Sequence, residues 1–271
     1  MRIQWLVVAL VATFPPVARA AGFVHNANFT VLTEAGVSPE ASQSFAAAVL
    51  ARAEQYRREI AREWLGEELP AGIGTTTINV RFSDSTDSGL TWAVDHPQRR
   101  YHSIYLETSP DRALGETLAH EVAHAVLATQ FPHPKRLPAW LEEGIASRYD
   151  AAYRRHERES ALAWMARNGN WPRLEPVLNA ENIPAEETRS YAAAVSLTEM
   201  LLERGGKQKL LAFGKQAAEV GCRRALAEHY GIADIDQLQT AWQAWAAHPP
   251  HKPAPFQVSQ NGQANRRSYG Q

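Results

Sequence analysis

The chain has 271 residues, 45% of them hydrophobic and 21% charged, and a formal net charge of -1. These values fit one globular domain with appendages, and the near-neutral charge gives no footprint for nucleic acid or for an anionic membrane surface. Cys222 is the one cysteine, so no internal disulfide can form, and it reads as a small buried apolar residue.

The first twenty residues have the pattern of an export signal. Arg2 supplies the positive start, Ile3 to Phe14 is a short apolar run, and Ala18-Arg19-Ala20 offers small residues for cleavage. The run is too short to span a bilayer comfortably. The expected organisation is therefore a signal peptide at 1–20, one domain over 22–248 and a polar, disordered tail at 249–271. The mature protein is expected outside the cytoplasm, with no stable membrane insertion after cleavage and no nucleic-acid partner.

Phe29 to Thr33 alternates and reads as a first strand. Ser38-Pro39-Glu40 reads as a helix start, with a capping hydroxyl followed by proline at the first helical position. Phe45, Val49, Tyr56, Ile60 and Trp64 then recur at helical spacing, and Gly66 and Pro70 end the helix. Residues 75–82 are rich in β-branched types and read as a strand. Residues 83–89 read as polar turn. Tyr101 to Glu107 reads as another strand, with His102, Ile104 and Leu106 on one face. Asp111 is expected to cap a helix running to about Thr129. Pro132 to Pro134 forces a loop, and Trp140 to Tyr149 starts another helix. Beyond 150 the pattern is helical, interrupted at Asn170 to Pro176. Pro184 to Arg204 is a strong helix ended by Gly205-Gly206, and shorter helices close with Leu238, Trp242 and Trp245 on one face. Strands followed by helices predict an α+β class.

The informative segment is Leu118-Ala119-His120-Glu121-Val122-Ala123-His124-Ala125-Val126. Side chains four apart on a helix lie one above the other, so His120 and His124 can present two imidazoles to one ion. Glu121 is turned by about 100°, beside the ion, where a base could take a proton from water. Composition predicts only roughly 0.03 chance matches to His-Glu-x-x-His in a chain this long. Burying such groups in an apolar helix is costly unless a partner compensates. A catalytic zinc site also needs a third protein ligand and an open position. Glu142 and Glu143 follow His124 by 18 and 19 residues, and only one of two adjacent helical carboxylates can face the ion; the other is expected to face solvent or bind substrate.

His120 to His124, followed by Trp140-Leu141-Glu142-Glu143-Gly144-Ile145-Ala146, resembles the gluzincin metallopeptidases, closest in pattern to the aminopeptidase N-like enzymes and the small bacterial peptidase-MA-like domains. The resemblance covers about residues 75–150 well, and the helix at 184–204 weakly. It implies Glu143 as third ligand to one zinc ion. It also implies a zincin-like fold: a small mixed sheet with an edge strand before the motif helix (here Tyr101 to Glu107), the His-Glu-x-x-His helix beneath it, and an all-helical C-terminal half. It implies a peptide or protein substrate, with Glu121 as base and a tyrosine on a later helix as oxyanion donor. Tyr191 fits that placement; Tyr101, Tyr105 and His102 are alternatives on the strand. The Gly-x-Met-Glu-Asn segment of the aminopeptidases is absent. Ser147 stands where thermolysin-like enzymes place an aspartate, which leaves Asp150 as the candidate to orient His120. No third histidine with a methionine turn follows, which sets metzincins aside. The mixed run Arg154 to Glu159 reads as a solvated face. Two other readings compete with a peptidase: a non-catalytic envelope module that keeps the fold, and a zinc hydrolase for a non-peptide amide.

Overall fold

The computed structural model describes residues 22–34, 38–96, 99–131 and 135–247, with backbone alone over 94–101. The expected signal peptide, the Pro132 to Pro134 loop, the tail and the side chain of Tyr101 lie outside the described residues. No helix among the described residues is long and apolar enough to cross a membrane.

Helix α1 (Pro39–Leu65) begins and ends as its sequence dictates. The Ser38 hydroxyl accepts from the Ala41 N–H at 3.1 Å, and Pro39 occupies the first turn. Gly66, at φ 84°, turns the chain out while its N–H donates to the Arg62 carbonyl, a left-handed cap that favours glycine. The Phe45, Val49, Tyr56, Ile60 and Trp64 stripe is buried.

Among the described residues, five strands form one sheet: β1 (Gly22–His25), β2 (Phe29–Thr33), β3 (Thr76–Phe82), β4 (Ser88–His96) and β5 (Arg99–Thr108), in the order β1-β2-β3-β5-β4. The pairs β2–β3 and β3–β5 are parallel; β1–β2 and β4–β5 are antiparallel. The sheet is therefore mixed, and the chain is α+β. The expected edge strand is corrected: Tyr101 to Glu107 belongs to β5, which lies between β3 and β4, and β4 forms the edge. Strand β4 escapes the sequence reading because its alternation is inverted. Leu90 and Trp92 are exposed, whereas Gly89 and Thr91 face inward against the helix beneath.

That helix is α3 (Glu116–Ala128), and it is shorter than expected. Asp111 lies in a separate turn, α2 (Pro110–Ala113), and Leu114-Gly115 breaks the two apart. Next come α4 (Ala139–Ala146) and a 3₁₀ turn (Ser147–Tyr149), then α5 (Ala152–Asn168), α6 (Leu174–Asn179), α7 (Thr188–Val220), α8 (Cys222–Tyr230) and α9 (Ile235–Ala247). Helix α7 starts four residues later than expected and runs on past Gly205-Gly206. Gly206, at φ 74°, is a kink within it rather than its end. Helices α1 and α3 cover the inner sheet face, and α4 lies between α3 and α7.

The α4–α7 crossing depends on Gly144. A Cβ there would lie 2.0 Å from Thr198 Oγ1, and that hydroxyl is held by donation to the Ala194 carbonyl at 2.9 Å. Alanine gains about 1 kcal/mol of helix propensity over glycine, but overpacking a filled core costs about 1–3 kcal/mol. Gly144→Ala is expected to lower stability by about 1–2 kcal/mol, measured by urea unfolding of the metal-free chain.

Candidate metal centre

Ten residues of α3 are buried, among them Leu118, Ala119, Val122, Ala123 and Val126. This apolar setting fixes the helix and leaves His120 and His124 on one side of it. The Nε2 atoms of His120 and His124 stand 3.2 Å apart. Glu143, on α4, brings Oε2 to 3.7 Å from His120 Nε2 and Oε1 to 3.7 Å from His124 Nε2. Ligand atoms about 2.0–2.2 Å from a tetrahedral ion stand roughly 3.3–3.6 Å apart. The His120, His124 and Glu143 donor set thus fits a single metal ion, and all its ligand atoms lie within 4.8 Å of one another.

Each imidazole is oriented from behind by a carboxylate. Asp150 Oδ1 lies 2.9 Å from His120 Nδ1, and Glu142 Oε1 lies 3.2 Å from His124 Nδ1. A proton on each Nδ1 satisfies its carboxylate and leaves each Nε2 lone pair directed at the shared point. Asp150 takes the expected orienting place. Glu142 does not: it was expected to face solvent or substrate, and it instead holds the second histidine. The two glutamates divide the work because their helical directions differ by about 100°.

Asp150 is placed by the 3₁₀ turn. Trp64 Nε1 donates to the Tyr149 hydroxyl at 2.8 Å, and that hydroxyl donates to Glu63 Oε2 at 2.7 Å, pinning the turn to α1. Arg158 Nη1 completes the chain at 2.7 Å from Asp150 Oδ2. This corrects the reading of Arg154 to Glu159 as a solvated face. Arg158 and Arg154 are one helical turn apart on α5 and both point inward, Arg154 to Asp87 at 3.4 Å.

The charges reinforce the geometry. Burial alone would raise the Asp150 carboxyl, but His120, Arg158 and Arg154 hold it at about 2. Burial likewise opposes ionisation of Glu143, and His124, His120 and the Tyr191 hydroxyl bring it to about 2. Both carboxyls are anionic at neutral pH. Burial works against charge on the histidines too, yet Asp150 raises His120 well above its ordinary range, and Glu143 raises His124. The carboxylates around the two imidazoles therefore favour positive charge between them. Asp150→Asn keeps the shape but weakens this support. Metal affinity is expected to fall about 10–100-fold, as is typical when an outer partner is lost, measured by competition with a chromogenic chelator.

Tyr191 reaches the site from α7, where Ala192, Ala193 and Ala194 leave it room. Burial, then Glu143, raises its hydroxyl well above 10, so it stays a neutral donor. It donates to Glu143 Oε2 at 2.8 Å and accepts from Ser147 Oγ at 3.2 Å. Its proton is committed to the expected ligand. Tyr105 lies on the outer sheet face, where Arg81 meets it. His102 is buried on the inner face, near Gly74, which also adjoins Thr129 at the far end of α3.

Glu121 is 5% exposed and turns toward β4. Thr91 Oγ1 donates to its Oε2 at 2.6 Å. Thr91 has no part in the sequence reading, and Glu142 and Arg158 take other roles than it gives them. The signals were present as period-two spacing at Gly89 and Thr91 and as four-residue spacing at Arg154 and Arg158.

No family model matches the chain, and no curated protein matches it.

Proposed function

We propose that the chain is an exported zinc metallopeptidase of the gluzincin kind. The observation that carries the reading is the convergence of His120 Nε2, His124 Nε2 and the Glu143 carboxylate, from two helices, with the Glu121 charge acting on His120. Two imidazoles and one carboxylate suit zinc, and three protein ligands rather than four are the mark of a catalytic site. A zinc ion held there would acidify water and polarise a carbonyl oxygen. Glu121 would take the proton of the attacking water and return it to the leaving amine. Asp150 and Glu142 keep the imidazoles aimed, and Tyr191 with Ser147 keeps Glu143 in place. The engagement of Tyr191 with Glu143 favours an orienting role over the oxyanion role expected from the resemblance. Among the described residues β4 is the edge strand of the sheet, and it holds Glu121 through Thr91, so an extended peptide could add along it. A zincin-like fold, export through residues 1–20 and a peptide substrate belong to the same proposal.

The test is hydrolysis of casein and of a mixed peptide library by the purified chain. The proposal expects cleavage that stops on chelation and returns with one equivalent of zinc. Stoichiometric zinc with no cleavage of either substrate would reject the peptidase reading.

A further inference from the structure

We infer that Gly89 and Thr91 of the edge strand form the seat of the Glu121 carboxylate, and are positioning residues for it. The inference rests on the reading of Glu121 as the base, and it deepens that reading by assigning the strand a part in placing the proton acceptor.

Three observations carry it. First, the Thr91 hydroxyl is 2.6 Å from Glu121 Oε2 and 3.3 Å from the Glu121 carbonyl oxygen. It has one proton to give, and the shorter, charge-assisted bond to the carboxylate is the stronger. Second, Gly89 lies two residues earlier and therefore on the same face of β4. A Cβ at Gly89 would come within 2.3 Å of Glu121 Oε1 and within 2.7 Å of both Cδ and Cγ. The carboxylate occupies the space that a side chain at 89 would need. Thr91 thus grips one oxygen, and Gly89 makes room for the other. Third, the beginning of β4 is anchored independently. Asp87 accepts from Thr108 Oγ1 and from Thr117 Oγ1, each at 2.8 Å, and from the Tyr153 hydroxyl. Thr117 belongs to α3 itself, so Asp87 ties the strand to the same helix that carries Glu121. Gly89 at 89↔106 and Thr91 at 91↔104 are further fixed by pairing with β5. The seat is therefore set by sheet register and by one helix anchor, and not by the ligands of the proposed ion.

The hydroxyl and the missing side chain do different things. Thr91→Val keeps the β-branched shape and removes the donor. Thr91→Ser restores the donor. Gly89→Ala leaves the donor in place and pushes the carboxylate out of its seat.

The experiment has two arms, both on the full chain. In the metal-free protein, urea unfolding is measured for Thr91→Val and for Gly89→Ala, each with and without Glu121→Ala. Direct contact predicts coupling. The added methyl at 89 should raise the unfolding equilibrium constant at least fivefold when Glu121 is present, and should have little effect once Glu121 is shortened. The Thr91 and Glu121 substitutions should be non-additive by a similar factor. In the zinc-loaded protein, Thr91→Val should lower kcat about tenfold with KM and zinc content unchanged, and Thr91→Ser should recover most of kcat. Additive effects in the metal-free cycles, or a Thr91→Ser variant no better than Thr91→Val, would overturn the seat. Coupling in the metal-free chain with no cleavage by any version would uphold the seat and remove the hydrolase reading.

Discussion

Replacing Glu121 with glutamine should leave zinc bound and lower peptide hydrolysis by about 10²–10⁴-fold, the range that a positioned proton-transfer group supplies. The amide has the size of the carboxylate and can still accept from Thr91, so the side chain keeps its seat. It cannot take a proton from water. Glu121 contributes no atom to the His120, His124 and Glu143 set, so affinity for the ion should be nearly unchanged. Zinc content by mass spectrometry, set beside initial rates on a reporter peptide, separates the two effects. Full activity in the variant would remove Glu121 from the chemistry. Loss of zinc together with activity would mean that it holds the ion.

Glu143→Ala should have the opposite signature. It removes a ligand that stands 3.7 Å from both Nε2 atoms. It also leaves Tyr191 without this acceptor, and the buried His120 and half-buried His124 imidazoles without the charge that faces them. Zinc affinity should fall by more than about 100-fold, beyond the loss that follows removal of an outer partner such as Asp150. Hydrolysis should disappear with the metal. Helix α4 should persist, because Trp140, Leu141 and Ile145 are buried within the core irrespective of the ion. Circular dichroism and chelator competition on the same sample would show an intact fold with an emptied centre. Glu142→Ala provides the contrast. It removes only the 3.2 Å contact to His124 Nδ1, so it should behave as Asp150→Asn does.

The sequence was most legible where one local rule acted alone. Helix α1 followed from a capping serine, a following proline and a terminal glycine. Strand β2 and the stripe of buried residues on α1 followed from simple periodicity. The pairing of His120 with His124 needed only the four-residue repeat of a helix. Glu143 needed more: its position follows from the crossing of α3, α4 and α7, and a resemblance rather than a spacing rule pointed to it. What stayed hidden was set by tertiary contact. Strand β4 places Leu90 and Trp92 outward and its small residues inward, which inverts the usual alternation, because the inner side is filled by Glu121. The charged run on α5 looks solvated by composition. Its arginines turn inward because Asp150 and Asp87 wait there, brought from other elements. Adjacent glutamates at 142 and 143 can be told apart as pointing differently, but the partner of each depends on where α4 crosses α3.

The central claim is that two imidazoles and the Glu143 carboxylate share one zinc ion, and crystallography at the zinc absorption edge tests it most directly. The expected result is a single anomalous peak about 2.0–2.2 Å from His120 Nε2, His124 Nε2 and a Glu143 carboxylate oxygen, in a tetrahedral arrangement. A zinc-soaked crystal with no peak there, or with a peak that excludes Glu143, would contradict it.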